Sequence, residues 1–175
     1  FAGHQLAVDD AVYESERATG DRNRALAWLM RGAGSLTADV DDALDVYFRQ
    51  CAVLVTARDI AVMAATLAND GVNPVTGAAV VSDAVTSQVI TVMATCGMYD
   101  GSGEWLMRVG LPAKSGVSGA VVAVSPGQFG LGLFSPRLDA RGNSVRAIAA
   151  CRDLSDRFDL HLMRQPNRPA PALLA

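Results

Sequence analysis

The chain has 175 residues, a mass of 18.3 kDa, half of its residues apolar and a formal charge of −3. That suffices for one domain with a real core, or for a large piece of a bigger domain, and it is too apolar for a disordered chain. The arginines are scattered singly and no apolar run reaches about 18 residues, which argues against a nucleic-acid footprint and against a membrane-spanning helix.

The N-terminal twenty residues mix acidic positions with Ala, Val and Tyr and open inside a plausible helix pattern. Asp21 then reads as the N-cap of a helix over 22–31, which Gly32 and Gly34 stop. In the next helix, 38–51, Val40, Leu44, Tyr47, Phe48 and Cys51 recur at three and four, which puts Tyr47 on or beside the buried stripe. Thr56 precedes a helix with Ile60, Met63, Ala64 and Leu67 on one side, and Gly71 ends it. Asn73-Pro74 and Thr76-Gly77 are turns. Ser82 caps a helix carrying Val85, Val89, Met93 and Cys96, which ends at Gly97 and delivers Met98 and Tyr99 to its tip. A short helix fits 100–109. Strands over 117–124 and 129–134 form a hairpin about Pro126-Gly127, and a loop leads to a last helix over 143–160. Pro166, Pro169 and Pro171 make residues 164–175 a tail or linker. Cys51, Cys96 and Cys151, odd in number and without C-x-x-C, read as buried reduced thiols of a cytoplasmic protein.

Chemistry gathers between Gly97 and Gly119, G-M-Y-D-G-S-G-E-W-L-M-R-V-G-L-P-A-K-S-G-V-S-G. This stretch holds the single lysine of the sequence, Lys114, followed by a hydroxyl at Ser115 and glycines that admit close approach to the backbone. K-[ST]-G at the head of a strand is an element of serine acylases of the penicillin-binding and β-lactamase type. With C-G-M-Y-D and G-L-P-A-K-S-G-V, the sequence resembles the serine-dependent glutaminases. The resemblance continues through Y-E-S-E-R-A-T-G-D-R-N (13–23), D-V-Y-F-R-Q-C (45–51), M-A-A-T-L-A-N-D-G (63–71) and R-G-N-S-V (141–145), and so covers about residues 1–160. It implies an α+β, β-lactamase-like fold, of which residues 1–163 are the C-terminal part of the catalytic domain. It also implies hydrolysis of L-glutamine to L-glutamate and ammonia through a serine acyl-enzyme, without cofactor or metal, in a homo-oligomer, dimer or tetramer.

Such a reaction needs a nucleophile, a base, oxyanion donors and groups that hold the amino-acid head. The resemblance assigns Glu16 and Asn23 to the head group, Tyr47 and Tyr99 to the site, the Val117 N–H to the oxyanion, and Lys114 and Ser115 to the Lys-Ser pair. Read without it, Glu16 is a solvated acid, Tyr47 a core aromatic and Lys114 an exposed lysine. A phenol titrates near 10, so a tyrosine base requires nearby cations, whereas a tyrosine donor requires nothing special.

The family's nucleophile is the serine of S-x-x-K. Three residues before Lys114 stands Leu111, so these 175 residues contain no such motif. Phe1 in place of Met reads as a cut, and the sequence as the C-terminal part of a longer enzyme whose fragment is inactive alone. A penicillin-binding or β-lactam-hydrolysing enzyme, and a non-catalytic binding or association module, are the alternatives. His4 and His161 belong to no motif, and neither a triad, a metal site nor a phosphate loop is supported.

Overall fold

The computed structural model describes residues 1–164, so the proline-rich stretch falls outside the described residues. Among the described residues, seven α-helices and one small antiparallel sheet make an α+β architecture, in two compact units. One comprises Gln5–Val55, the other Phe1–His4 and the described residues from Thr56 onward.

The first unit is helical: α1 (Asp10–Thr19), α2 (Asp21–Gly32) and α3 (Val40–Cys51). Asp9 and Asp39 cap α1 and α3 with their carboxylates. Gly20, not Asp21, is the N-cap of α2; Asp21 lies in its first turn, 3.5 Å from Arg24. Tyr13, Ala27, Val40, Leu44, Phe48 and Ala52 form the core. Tyr47 points away from that stripe and is 45% exposed, its ring edge-on to Phe48 at 5.9 Å. The N-terminal residues do not continue the helix pattern: residue 8 instead pairs as an isolated bridge with Val53, and the Asp9 N–H donates to the Ala52 carbonyl.

The second unit is layered about a sheet of order β1 (Ala113–Ser115), β2 (Ala120–Ser125) and β3 (Phe129–Phe134). β2 is covered on both faces, which is why it reads A-V-V-A-V-S without polar alternation. Val122 and Val124 face α4 (Ala57–Ala68) and α5 (Asp83–Cys96), meeting Ala64, Leu67 and Met93. Val121 and Ala123 face α6 (Ser102–Arg108) and α7 (Val145–Phe158), meeting Trp105, Val109, Ala147 and Cys151. Gly130 and Gly132 let α4 lie directly on β3: a Cβ at either would sit 2.2 Å from helix backbone. A full capping box of Thr56 and Asp59 starts α4, and Ser82 and Ser144 cap α5 and α7.

Several expectations are corrected here. Val117 stands in a turn and not in the strand, because β2 starts at Ala120 and the two glycines on either side of Val117 close a tight loop. The buried stripe of α5 is Thr86 and Met93, whereas Val85 and Val89 are exposed; rotation by one residue seats the helix against Val124. Only Cys151 is a buried thiol, Cys51 and Cys96 being exposed at helix ends.

Candidate functional site

In the sheet unit, three of the expected residues converge. α5 ends at Gly97, whose carbonyl accepts from the Ser115 N–H at 3.0 Å. A Cβ at residue 97 would fall 1.7 Å from the Ala113 carbonyl oxygen, so only glycine lets β1 pass this close to the helix end. Tyr99 follows in the left-handed region, φ 52°, and opens a 3-10 turn (Tyr99–Gly101) that leads into α6. The Lys114 Nζ lies 4.6 Å from the centroid of the Tyr99 ring, a cation over an aromatic face. Lys114 Nζ also donates to the Ser115 carbonyl. Burial pushes the Lys114 ammonium below the ordinary lysine range, partly opposed by the Cys96 thiol nearby.

Lys114 and Ser115 sit on opposite faces of β1. Lys114 pairs with Val122 on the α4 and α5 side, whereas Ser115 pairs with Val121 and is 1% exposed. The Ser115 Oγ has no hydrogen-bond partner among the described residues. Val117 occupies the tip of the Gly116–Gly119 turn, 70% exposed, and its N–H donates to no acceptor among the described residues. Gly142 brings the loop before α7 against both groups: a Cβ there would lie 3.7 Å from Tyr99 Cε2 and 3.8 Å from Val117 Cγ1. The arrangement offers a phenol, a partly desolvated ammonium and an unused backbone donor around one exposed turn.

In the helical unit, Glu16 and Asn23 flank the α1–α2 junction at Gly20. Both are half-buried, and neither side chain makes a hydrogen bond or ion pair among the described residues. Their neighbours are committed elsewhere: the Tyr13 hydroxyl donates to Asp45, Arg49 binds the same carboxylate at 2.9 Å, and its guanidinium lies 4.4 Å above the Tyr13 ring. That network lowers the Asp45 carboxyl below its usual range, chiefly through the tyrosine hydrogen bond and then through Arg49.

The concavities do not coincide with these groups. A cleft of about 430 Å³ in the sheet unit is floored by Met98, Trp105 and Val109 and rimmed by Arg108 and Arg141, without Tyr99, Lys114 or Val117. A hollow of about 600 Å³ in the helical unit is lined by the Tyr13, Asp45 and Arg49 network. Several charges of these hollows are paired within them, Arg49 with Asp45 and both Arg108 and Arg141 with Glu104. Sequence reading gave no role to Ser102 and Asn143, which hold the backbone around Tyr99; Asn143 lies in R-G-N-S-V and Ser102 in the G-S-G that follows Tyr99 and Asp100. Among the described residues no cluster of His, Cys, Asp or Glu could hold a metal, and no helix is long and apolar enough to cross a membrane.

The glutaminase family model matches residues 1–163. Glutaminase 2 of Bradyrhizobium diazoefficiens is 61% identical over 94% of this chain and 26% of its own length. Among solved structures, Mglu in its glutamate form superposes with a TM-score of 0.89 at 49% identity, over 95% of this chain and 38% of that one. The Bacillus subtilis glutaminase YbgJ, in covalent complex with 5-oxo-L-norleucine formed by reaction with 6-diazo-5-oxo-L-norleucine, superposes at 0.87 and 35% identity, over 92% and 58%. The chain spans between about a quarter and about half the length of the curated relatives it matches. The match over nearly all of the described residues, together with the α+β architecture, assigns this chain to the glutaminase family.

Proposed function

We propose that this chain is the C-terminal part of the catalytic domain of a serine-dependent glutaminase, which hydrolyses L-glutamine to L-glutamate and ammonia. The observation that carries the reading is the grouping of Tyr99, Lys114 and the free Val117 N–H around one turn, in a chain of that family.

In the proposed reaction the serine of an S-x-x-K motif, outside these residues, attacks the side-chain amide carbon while the motif's lysine takes its proton. The carbonyl oxygen gains the negative charge, and the Val117 N–H stabilises it. Collapse of the tetrahedral intermediate breaks the C–N bond, with the nitrogen protonated to leave as ammonia; Tyr99 is the donor on this side. Water then cleaves the acyl ester. From the resemblance, Glu16 is assigned to the ammonium of the amino-acid head, Asn23 to its carboxylate, and Tyr47 to the residues that bind and act on substrate. Lys114 supplies positive potential beside the phenol. Ser115, the other half of the Lys-Ser pair, is the hydroxyl proposed to relay protons or bind ligand, its buried Oγ without a partner among the described residues. A relative trapped as a covalent 5-oxo-L-norleucine complex by reaction with its diazo ketone supports a nucleophile placed beside the end of a glutamine-like side chain. The parent enzyme is read as a cytoplasmic homo-oligomer that uses no cofactor.

The test is glutamate release from L-glutamine by the 175-residue chain and by the complete enzyme. Turnover by the complete enzyme and none by the chain alone is expected. Hydrolysis of a chromogenic β-lactam with glutamine untouched would replace this reading by the penicillin-binding one. Turnover by the chain alone would place the nucleophile inside it.

A further inference from the structure

We infer that Asn143 is a positioning residue for Tyr99, acting through the backbone of Met98; the kinetic arm of this inference rests on the glutaminase reading above. Tyr99 adopts φ 52°, a conformation a β-carbon disfavours, and its surroundings must hold it there.

The hold is made on the preceding residue. The Met98 N–H donates to the Ser102 Oγ at 3.0 Å, and the same hydroxyl donates to the Tyr99 carbonyl at 2.8 Å. The Met98 carbonyl accepts from the Gly101 N–H at 3.0 Å and from the Asn143 Nδ2 at 3.3 Å. Both polar groups of Met98 are thereby fixed, the carbonyl by a side chain 45 residues further along the chain.

Asn143 is built for that contact. It is 2% exposed, its own N–H donates to the Asp139 carboxylate at 2.9 Å, and the next residue, Ser144, caps α7. Arg141, two residues earlier, pairs with Glu104 on α6 at 2.7 Å, so the loop is anchored to the helix that follows Tyr99. A carbonyl acceptor requires the NH₂ end of the amide to face it, which leaves Oδ1 turned away, buried and without a partner among the described residues. A buried unpaired acceptor is costly, and an apolar side chain of similar size would avoid it. The residue at 143 is therefore explained by the donor it supplies to Met98.

The experiment compares Asn143→Asp, which puts a carboxylate oxygen against the Met98 carbonyl, with Ser102→Ala, each alone and with Tyr99→Phe, in the complete enzyme. Asn143→Asp should lower kcat for glutamine by about tenfold or more with KM within about threefold, and by less than about threefold when Tyr99 is already Phe, as coupled residues behave. Should Asn143→Asp fail to fold, Ser102→Ala tests the same hold and should show the same non-additivity. A second readout needs no turnover: deuterium exchange at the Gly101 and Met98 amides should quicken in the variants while the amides of α4 keep wild-type rates. Full additivity with Tyr99→Phe, or unchanged exchange at these amides, would overturn the inference. Wild-type enzyme that releases no glutamate would overturn the glutaminase reading instead, and the exchange rates would still decide the role of Asn143.

Discussion

The Lys114 ammonium sits 4.6 Å from the centre of the Tyr99 ring, joining the single lysine of the sequence to a tyrosine held in the left-handed region. If the charge assists the phenol, removing it should matter more than reshaping it. Lys114→Met in the complete enzyme is expected to lower kcat by about ten- to a hundredfold, and Lys114→Arg by less, since a guanidinium also stacks on aromatic faces. Steady-state rates check this, and equal kcat for Met and Lys would make the ammonium incidental.

The phenol itself is the stronger test. Tyr99→Phe should reduce kcat by about two to four orders of magnitude if it transfers a proton, with little change in melting temperature because the ring remains over Lys114. Unchanged turnover would remove Tyr99 from the site.

Glu16, half-buried and without an ion-pair partner among the described residues, is available to a substrate ammonium. Glu16→Gln is expected to raise KM for glutamine by about tenfold or more while kcat changes less, as loss of uniform binding does. Unaltered glutamate affinity, measured by calorimetry, would count against the assignment.

Close approach of α5 and β1 predicts a structural effect at Gly97. A methyl group there meets the Ala113 carbonyl oxygen at 1.7 Å, and backbone cannot yield as a side-chain tip can. Gly97→Ala should destabilise the protein by about 3 kcal/mol, at the upper end of ordinary overpacking, and displace Lys114 with its strand. Denaturant unfolding measures the first and loss of turnover the second.

Asp59 accepts from His4, the Thr56 N–H and the Thr56 hydroxyl, each at 2.8 Å, and these hold its carboxyl down to about 2. The folded pKa lies below the unfolded one, so the contribution is complete above the ordinary carboxylate range and is lost as pH falls from about 4 through about 2. Urea midpoints should drop over that window in the wild type and drop less in Asp59→Asn. Thiol chemistry offers an independent check of the core: Cys51 and Cys96 should react with an aromatic disulfide in the native state. Cys151, buried and pushed up to about 12, should react only on unfolding.

Local rules already carried much of the architecture. Thr56, Ser82 and the Pro126-Gly127 turn specify their elements through neighbours a few residues away, and each stands where the pattern puts it. The motifs around Tyr99 and Lys114 likewise marked the family before any coordinates. What local pattern could not supply was decided by packing. The rotation of α5 depends on Val124, about thirty residues on, and the separation of Lys114 from Ser115 onto opposite faces of β1 depends on the strand pairing with Val121 and Val122. That Val117 lies outside the strand follows from where β2 can begin, and the support of Tyr99 comes from Asn143, which no spacing in the chain relates to it. Caps, turns and motifs act over one helical turn, so the sequence alone determined most of them, the cap of α2 at Gly20 excepted. Faces, registers and the groups that hold a side chain in place are settled by contacts between distant segments, and only the tertiary structure decided those.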